Sequence, residues 1–139
     1  MQKYIFIFLA LILCSTCQSE NQGAESQFDT KIEGAVSYRD KSSIPPSSII
    51  KVELLDITAG KQTVINQVEY RAGEASVPFA FSIPYEKASI KPDGVYALNG
   101  EITFAGRNLY YTLAPVEVIN SSLKNNVALI LVKGPKPTN

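Results

Sequence analysis

The sequence predicts an all-β domain, an antiparallel β-sandwich of about seven or eight strands, with a small open β-barrel as the alternative closure. Three observations carry this reading: apolar and polar residues alternate in short runs, turn residues recur roughly every eight to twelve positions, and no long segment shows a helical period. At 139 residues the chain suits one domain, and 45% hydrophobic against 19% charged residues provides enough apolar surface to offset chain entropy. Lys plus Arg equals Asp plus Glu at 13 each, without blocks of one sign, so no field draws nucleic acid.

Residues 31–38 set Ile32, Gly34, Val36 and Tyr38 against Lys31, Glu33, Ala35 and Ser37, the period of a half-buried strand. A polar bridge follows and ends in Pro45-Pro46, which donate no ladder hydrogen bonds and force the chain to turn or cross. Residues 49–57 form the strongest strand, with Ile50, Val52 and Leu54 on one face, and belong centrally. Gly60 marks a turn into a β-branched partner strand at 63–70, and Gly73 pivots the next loop.

In residues 77–84, Phe79, Phe81 and Ile83 are spaced for the core, while Pro78 and Pro84 bracket a short edge strand. Residues 85–90 suit one helical turn, and Lys91-Pro92-Asp93-Gly94 a tight turn. The strand at 95–104 points Tyr96, Leu98, Gly100, Ile102 and Phe104 inward, with Gly100 marking a bulge or a close backbone approach. Gly106-Arg107-Asn108 closes a hairpin into 109–113, and 116–119 restarts after Pro115. The unbroken apolar run at 127–132 reads as a strand covered on both faces. The domain thus spans 31–133, with a frayed tail at 134–139.

The first residues have a different character. Lys3, an apolar run from Ile5 to Leu13, then Ser15 and Thr16 have the three-part form of an export signal over residues 1–16, and the run is far shorter than the ~20 residues a membrane span needs. Leu13-Cys14-Ser15-Thr16-Cys17 resembles a bacterial lipobox, with Thr16 in the position before the cysteine. That resemblance implies lipid attachment at Cys17, through a thioether diacylglycerol and an acyl group such as palmitate. Several chains make anchoring durable, at about 0.8 kcal/mol per buried methylene. Ser19, two positions on, is not the Asp of inner-membrane retention, which implies the bacterial outer membrane. Ordinary signal cleavage, giving a secreted or periplasmic protein, is the alternative. Residues 17–30, rich in Ser, Gln, Glu, Asn and Gly, read as a flexible tether.

Site chemistry is sparse. The chain has no His and no Trp, and its two cysteines, Cys14 and Cys17, lie in the export segment, so no Ser-His or Cys-His nucleophile and no imidazole metal site is available. The expectation is no enzyme, no metal and no cofactor. Tyr38-Arg39-Asp40 reads as an aromatic capping the core with an ion pair or two solvated charges beside it. For Tyr110-Tyr111 one ring faces inward and the other outward, and Asp56 bonds nearby backbone donors. Asn120-Ser121-Ser122 is an acceptor pattern read as a loop.

From Gly34 to Val132 the chain resembles the YbaY/YscW family of bacterial lipoproteins. The resemblance runs through Gly34, Val36, Tyr38-Arg39-Asp40, Ile44-Pro45-Pro46 and Val52-Glu53-Leu54-Leu55-Asp56, and resumes at Pro78-Phe79-Ala80-Phe81, Ile83-Pro84-Tyr85, Tyr96, Ile102 and Gly106-Arg107. It implies a small β domain held at the envelope, serving as a non-catalytic binding or chaperone module of pilotin type, with an envelope or secretion-system protein as partner. An accessory envelope lipoprotein without a dedicated client is the alternative.

Overall fold

The computed structural model describes residues 30–121 and 126–134. The export segment, Cys17, the tether up to residue 29 and all but Gly134 of the expected tail lie outside the described residues, while Thr30, read as the end of the tether, opens the first strand.

Eight strands follow in order: β1 (Thr30–Tyr38), β2 (Ile49–Asp56), β3 (Thr63–Arg71), β4 (Phe79–Tyr85), β5 (Tyr96–Phe104), β6 (Arg107–Tyr111), β7 (Val116–Val118) and β8 (Val127–Lys133). A single turn of 3₁₀ helix at Lys87–Ser89 occupies the segment where one helical turn was expected. The strands form one sheet in the order β3-β2-β5-β6-β8-β1-β4, with β7 beside the first half of β5. The sheet curls into a nearly closed barrel whose terminal strands, β3 and β4, face each other across an unsealed seam. All-β architecture with eight strands therefore holds, and of the two closures expected, the small open barrel is the one adopted. All ladders are antiparallel except β1 with β8, which run parallel in the register Gly34 to Val127 through Tyr38 to Leu131.

The alternation of the sequence becomes burial. Ile50, Val52 and Leu54 of β2, Phe79, Phe81 and Ile83 of β4, and Tyr96, Leu98 and Ile102 of β5 meet in one core with Ile32, Val36, Leu129 and Leu131. Gly34 lies where β1 passes between β4 and β8; a Cβ there would collide with the Val127 carbonyl and the Phe81 ring. The β5–β6 hairpin turns on Ala105 and Gly106, both with positive φ (48° and 75°), the two-residue loop whose twist matches its strands. Arg107 and Asn108, expected in that turn, already belong to β6.

Two sequence expectations are corrected by the packing. β8 is covered on one face only: Val127, Leu129 and Leu131 are buried, while Ala128 and Ile130 are exposed. Phe104, expected in the core, is 37% exposed at the end of β5.

The seam has a local cause. β3 and β4 are consecutive and would zip as a hairpin, but the loop joining them is tied elsewhere. Ala72 N donates to Ser48 O (2.9 Å) and Gly73 N to Pro46 O (2.9 Å), pulling the loop onto the bridge between β1 and β2. Side chains span the resulting gap instead: Asn66 Nδ2 donates to Pro84 O (2.7 Å), and Tyr70 Oη makes a longer contact with Phe79 O (3.5 Å).

Candidate functional site

At the far end of the barrel from Thr30, the ends of β1, β6 and β8 converge. Tyr38 stacks on Tyr110 with ring centroids 4.2 Å apart and an interplanar angle of 17°. Asp40 beside them accepts from Lys133 Nζ (2.7 Å), Tyr110 Oη (3.2 Å), Ser42 N (3.0 Å) and Ser42 Oγ (2.9 Å). Tyr38 Oη donates to Ser42 O at 3.0 Å. The Lys133 ammonium, followed by the Ser42 donors, holds the Asp40 carboxyl well below the usual carboxylate range. Burial raises the Tyr110 hydroxyl above its ordinary value, and its bond to Asp40 adds to that.

The Tyr-Arg-Asp trio is therefore split by the fold. Tyr38 caps the core as expected, but Asp40 pairs with Lys133, ninety-three positions on, and not with Arg39. Arg39 is exposed and has no ion-pair partner among the described residues.

A groove of about 480 Å³ opens beside this cluster, lined by Arg39, Tyr110, Leu113, Ile130, Val132 and Lys133 among others. Its origin lies in strand pairing. β6 and β8 pair only at Tyr110 with Lys133 and Tyr111 with Val132. The same register continued would set Thr112 against Leu131 and Leu113 against Ile130, but Thr112 stays with β5. Its N–H donates to Gly100 O (2.8 Å), while its Oγ1 accepts from Gly100 N (2.8 Å) and approaches Gly100 O (3.1 Å). Gly100 permits this: a Cβ there would stand 3.3 Å from Leu129 and 3.4 Å from both Leu131 and Thr112. These neighbours are side-chain atoms, which differs from the close backbone approach read from the sequence, and the irregularity in the β5–β6 ladder falls at Ile102 and Thr103 instead. Leu113 and Ile130, left 72% and 44% exposed, flank the gap.

Sequence reasoning missed Leu113, Ile130 and Lys133. Ile130 was hidden in an apolar run that reads equally as a doubly covered strand, and Lys133 is brought to Asp40 only by the parallel β1–β8 pairing. Tyr110 is buried and Tyr111 half-buried, the inward and outward division expected. Asp56 accepts from Thr58 N (2.9 Å) and Thr58 Oγ1 (2.6 Å), the local turn bonding expected of a lone carboxylate. On the outer sheet face Lys51 lies between Glu101 (2.6 Å) and Glu53 (3.1 Å), so neither carboxylate is poised as a base. Among the described residues no three Cys, Asp or Glu side chains lie close enough to hold a metal ion, and no helix is long and apolar enough to cross a membrane.

The described residues thus form an open β-barrel with an exposed apolar groove beside the Asp40 cluster. The chain belongs to the family of type III secretion system lipoprotein chaperones (YscW), whose model matches residues 27–131. It is also similar to a solved structure, an alternative pilotin from the type II secretion system of Vibrio cholerae, with a TM-score of 0.68 and 25% identity over 76% of this chain and 98% of that one. No curated protein sequence matches the chain.

Proposed function

We propose that this protein is a lipid-anchored, pilotin-like chaperone of the bacterial outer membrane that binds a secretion-system or other envelope protein. The family match over residues 27–131 is the observation that carries the reading. Residues 1–16 are the export signal, Cys17 bears the lipid, and the following residues to position 30 tether the domain. The geometry agrees with such a division of labour. The tether joins at Thr30, and the nine residues of β1 span about 30 Å at ~3.4 Å each, so the groove by Asp40 lies at the end remote from the attachment point. The domain works by binding and not by covalent chemistry.

Metabolic labelling with palmitate, fractionation of the envelope and affinity capture of the full chain test the proposal together. The wild-type chain should take up label, sediment with the outer membrane and retain a secretion-system protein, while Cys17→Ser should lose label and membrane association. Labelled, membrane-bound protein that captures no envelope protein would instead support an accessory lipoprotein without a client. Undiminished membrane association of Cys17→Ser would remove the anchor from the reading.

A further inference from the structure

We propose that the gap between β6 and β8 is an acceptor for an extended polypeptide segment with alternating apolar side chains and an acidic residue. This inference deepens the binding reading above and rests on it. Three features of the gap specify the occupant's chemistry. β8 pairs with β1 on one side, but on the other its ladder with β6 stops at Val132, so residues 127–131 have no strand partner there among the described residues. Unpaired strand edges take up extended backbone, which supplies the missing hydrogen bonds. Leu113 and Ile130 stand exposed on either side of the gap, and burying them requires apolar side chains from the occupant.

Charge supplies the third feature. Asp40, the groove's acidic residue, is consumed by Lys133, Ser42 and Tyr110. Arg39 on the same rim has no ion pair among the described residues, leaving the lining one cation in excess. A guanidinium at the edge of an apolar groove matches a carboxylate, which it binds through two parallel N–H bonds. The groove's cations and protruding Leu113 would also suit anionic lipid, but a membrane offers nothing to the β8 edge.

Selection from a phage-displayed library of random 12-residue peptides on the immobilised Cys17→Ser chain tests this. The enriched peptides should carry an excess of Asp and Glu with apolar residues at alternate positions. Each should bind at least tenfold more weakly to Arg39→Glu and to Ile130→Glu, and unchanged to Lys61→Glu, a control remote from the groove. In hydrogen exchange the tightest peptide should slow the amides of residues 129–131 and leave those of β3 unchanged. The proposal is overturned by failure to enrich any peptide, by basic or patternless winners, by binding indifferent to Arg39→Glu and Ile130→Glu, or by protection on β3 in place of β8. Sedimentation with phosphatidylglycerol vesicles that depends on Arg39 and Ile130 would also overturn it, assigning the groove to lipid. Both groove variants must retain the wild-type circular dichroism spectrum. Should peptide selection fail while affinity capture of a secretion-system protein succeeds, the strand-acceptor chemistry falls and the chaperone reading stands.

Discussion

The barrel is interrupted at two places, and they are built in opposite ways. Between β3 and β4 the gap is bridged from inside: Asn66 and Tyr70 reach across to carbonyls of β4, and Pro84 blunts that strand's edge. Between β6 and β8 nothing among the described residues bridges the gap beyond Val132, and the side chains flanking it, Leu113 and Ile130, are apolar and exposed. One interruption follows from a loop tied to a neighbouring loop and is closed by side chains standing in for a ladder. The other follows from a strand that keeps faith with β5 through Thr112 and abandons β8. Edge protection thus distinguishes a structural seam from a surface left available for binding.

That contrast has measurable consequences. The largest is in the core wall beside the seam: Phe81→Ala should lose about 3–5 kcal/mol in urea unfolding, whereas Leu113→Ala at the open gap should stay within about 0.5 kcal/mol of wild type. A large loss from Leu113→Ala would mean that the groove is part of the fold and would break the comparison. Next comes Thr112→Val, which leaves the Gly100 N–H without its hydroxyl acceptor and should destabilise by about 1–3 kcal/mol, with faster amide exchange in β6. Asn66→Ala should cost about 1 kcal/mol and hasten exchange across β4 while leaving the β8 amides as they were.

The smallest effect is electrostatic. The carboxyls of Asp40 and Asp56 are both held below their ordinary value, Asp40 chiefly by Lys133 and Asp56 by Thr58. Their folded forms therefore bind protons less readily than the unfolded chain. Their contribution to stability is present above the unfolded pKa of about 4 and is lost as pH falls below it. Denaturation midpoints should drop on acidification from pH 5 to pH 2, and Asp40→Asn should flatten that slope without abolishing it, since Asp56 remains. Both carboxylates are only half-buried, which keeps the effect modest and weakens it further in salt.

Much of this architecture was legible in the residues. Strand β2, the core trio Phe79, Phe81 and Ile83, and the edge position of β4 all followed from period two and from proline's missing donor. These are local consequences of a side chain's place in its own strand. The groove was not legible to the same degree. Tyr38 and Tyr110 each read as a core aromatic, but their stacking, and the capture of Asp40 by Lys133, depend on which strands become neighbours. Ile130 carried no signal, because an apolar residue within an apolar run looks the same whether its outer face is covered or bare.

The sequence by itself determined the class of the domain, the order of its strands and the residues that fill its interior, since alternation and turn chemistry act within a few positions of one another. Tertiary structure decided how the sheet closes and where it fails to close. The parallel pairing of β1 with β8, the loop ties at Ser48 and Pro46, and the hold of Gly100 on Thr112 are contacts between distant parts of the chain. The first two depend on backbone groups that nearly every residue carries, and the third on a hydroxyl whose partner lies twelve positions away, so no local pattern of side chains along the sequence announces them.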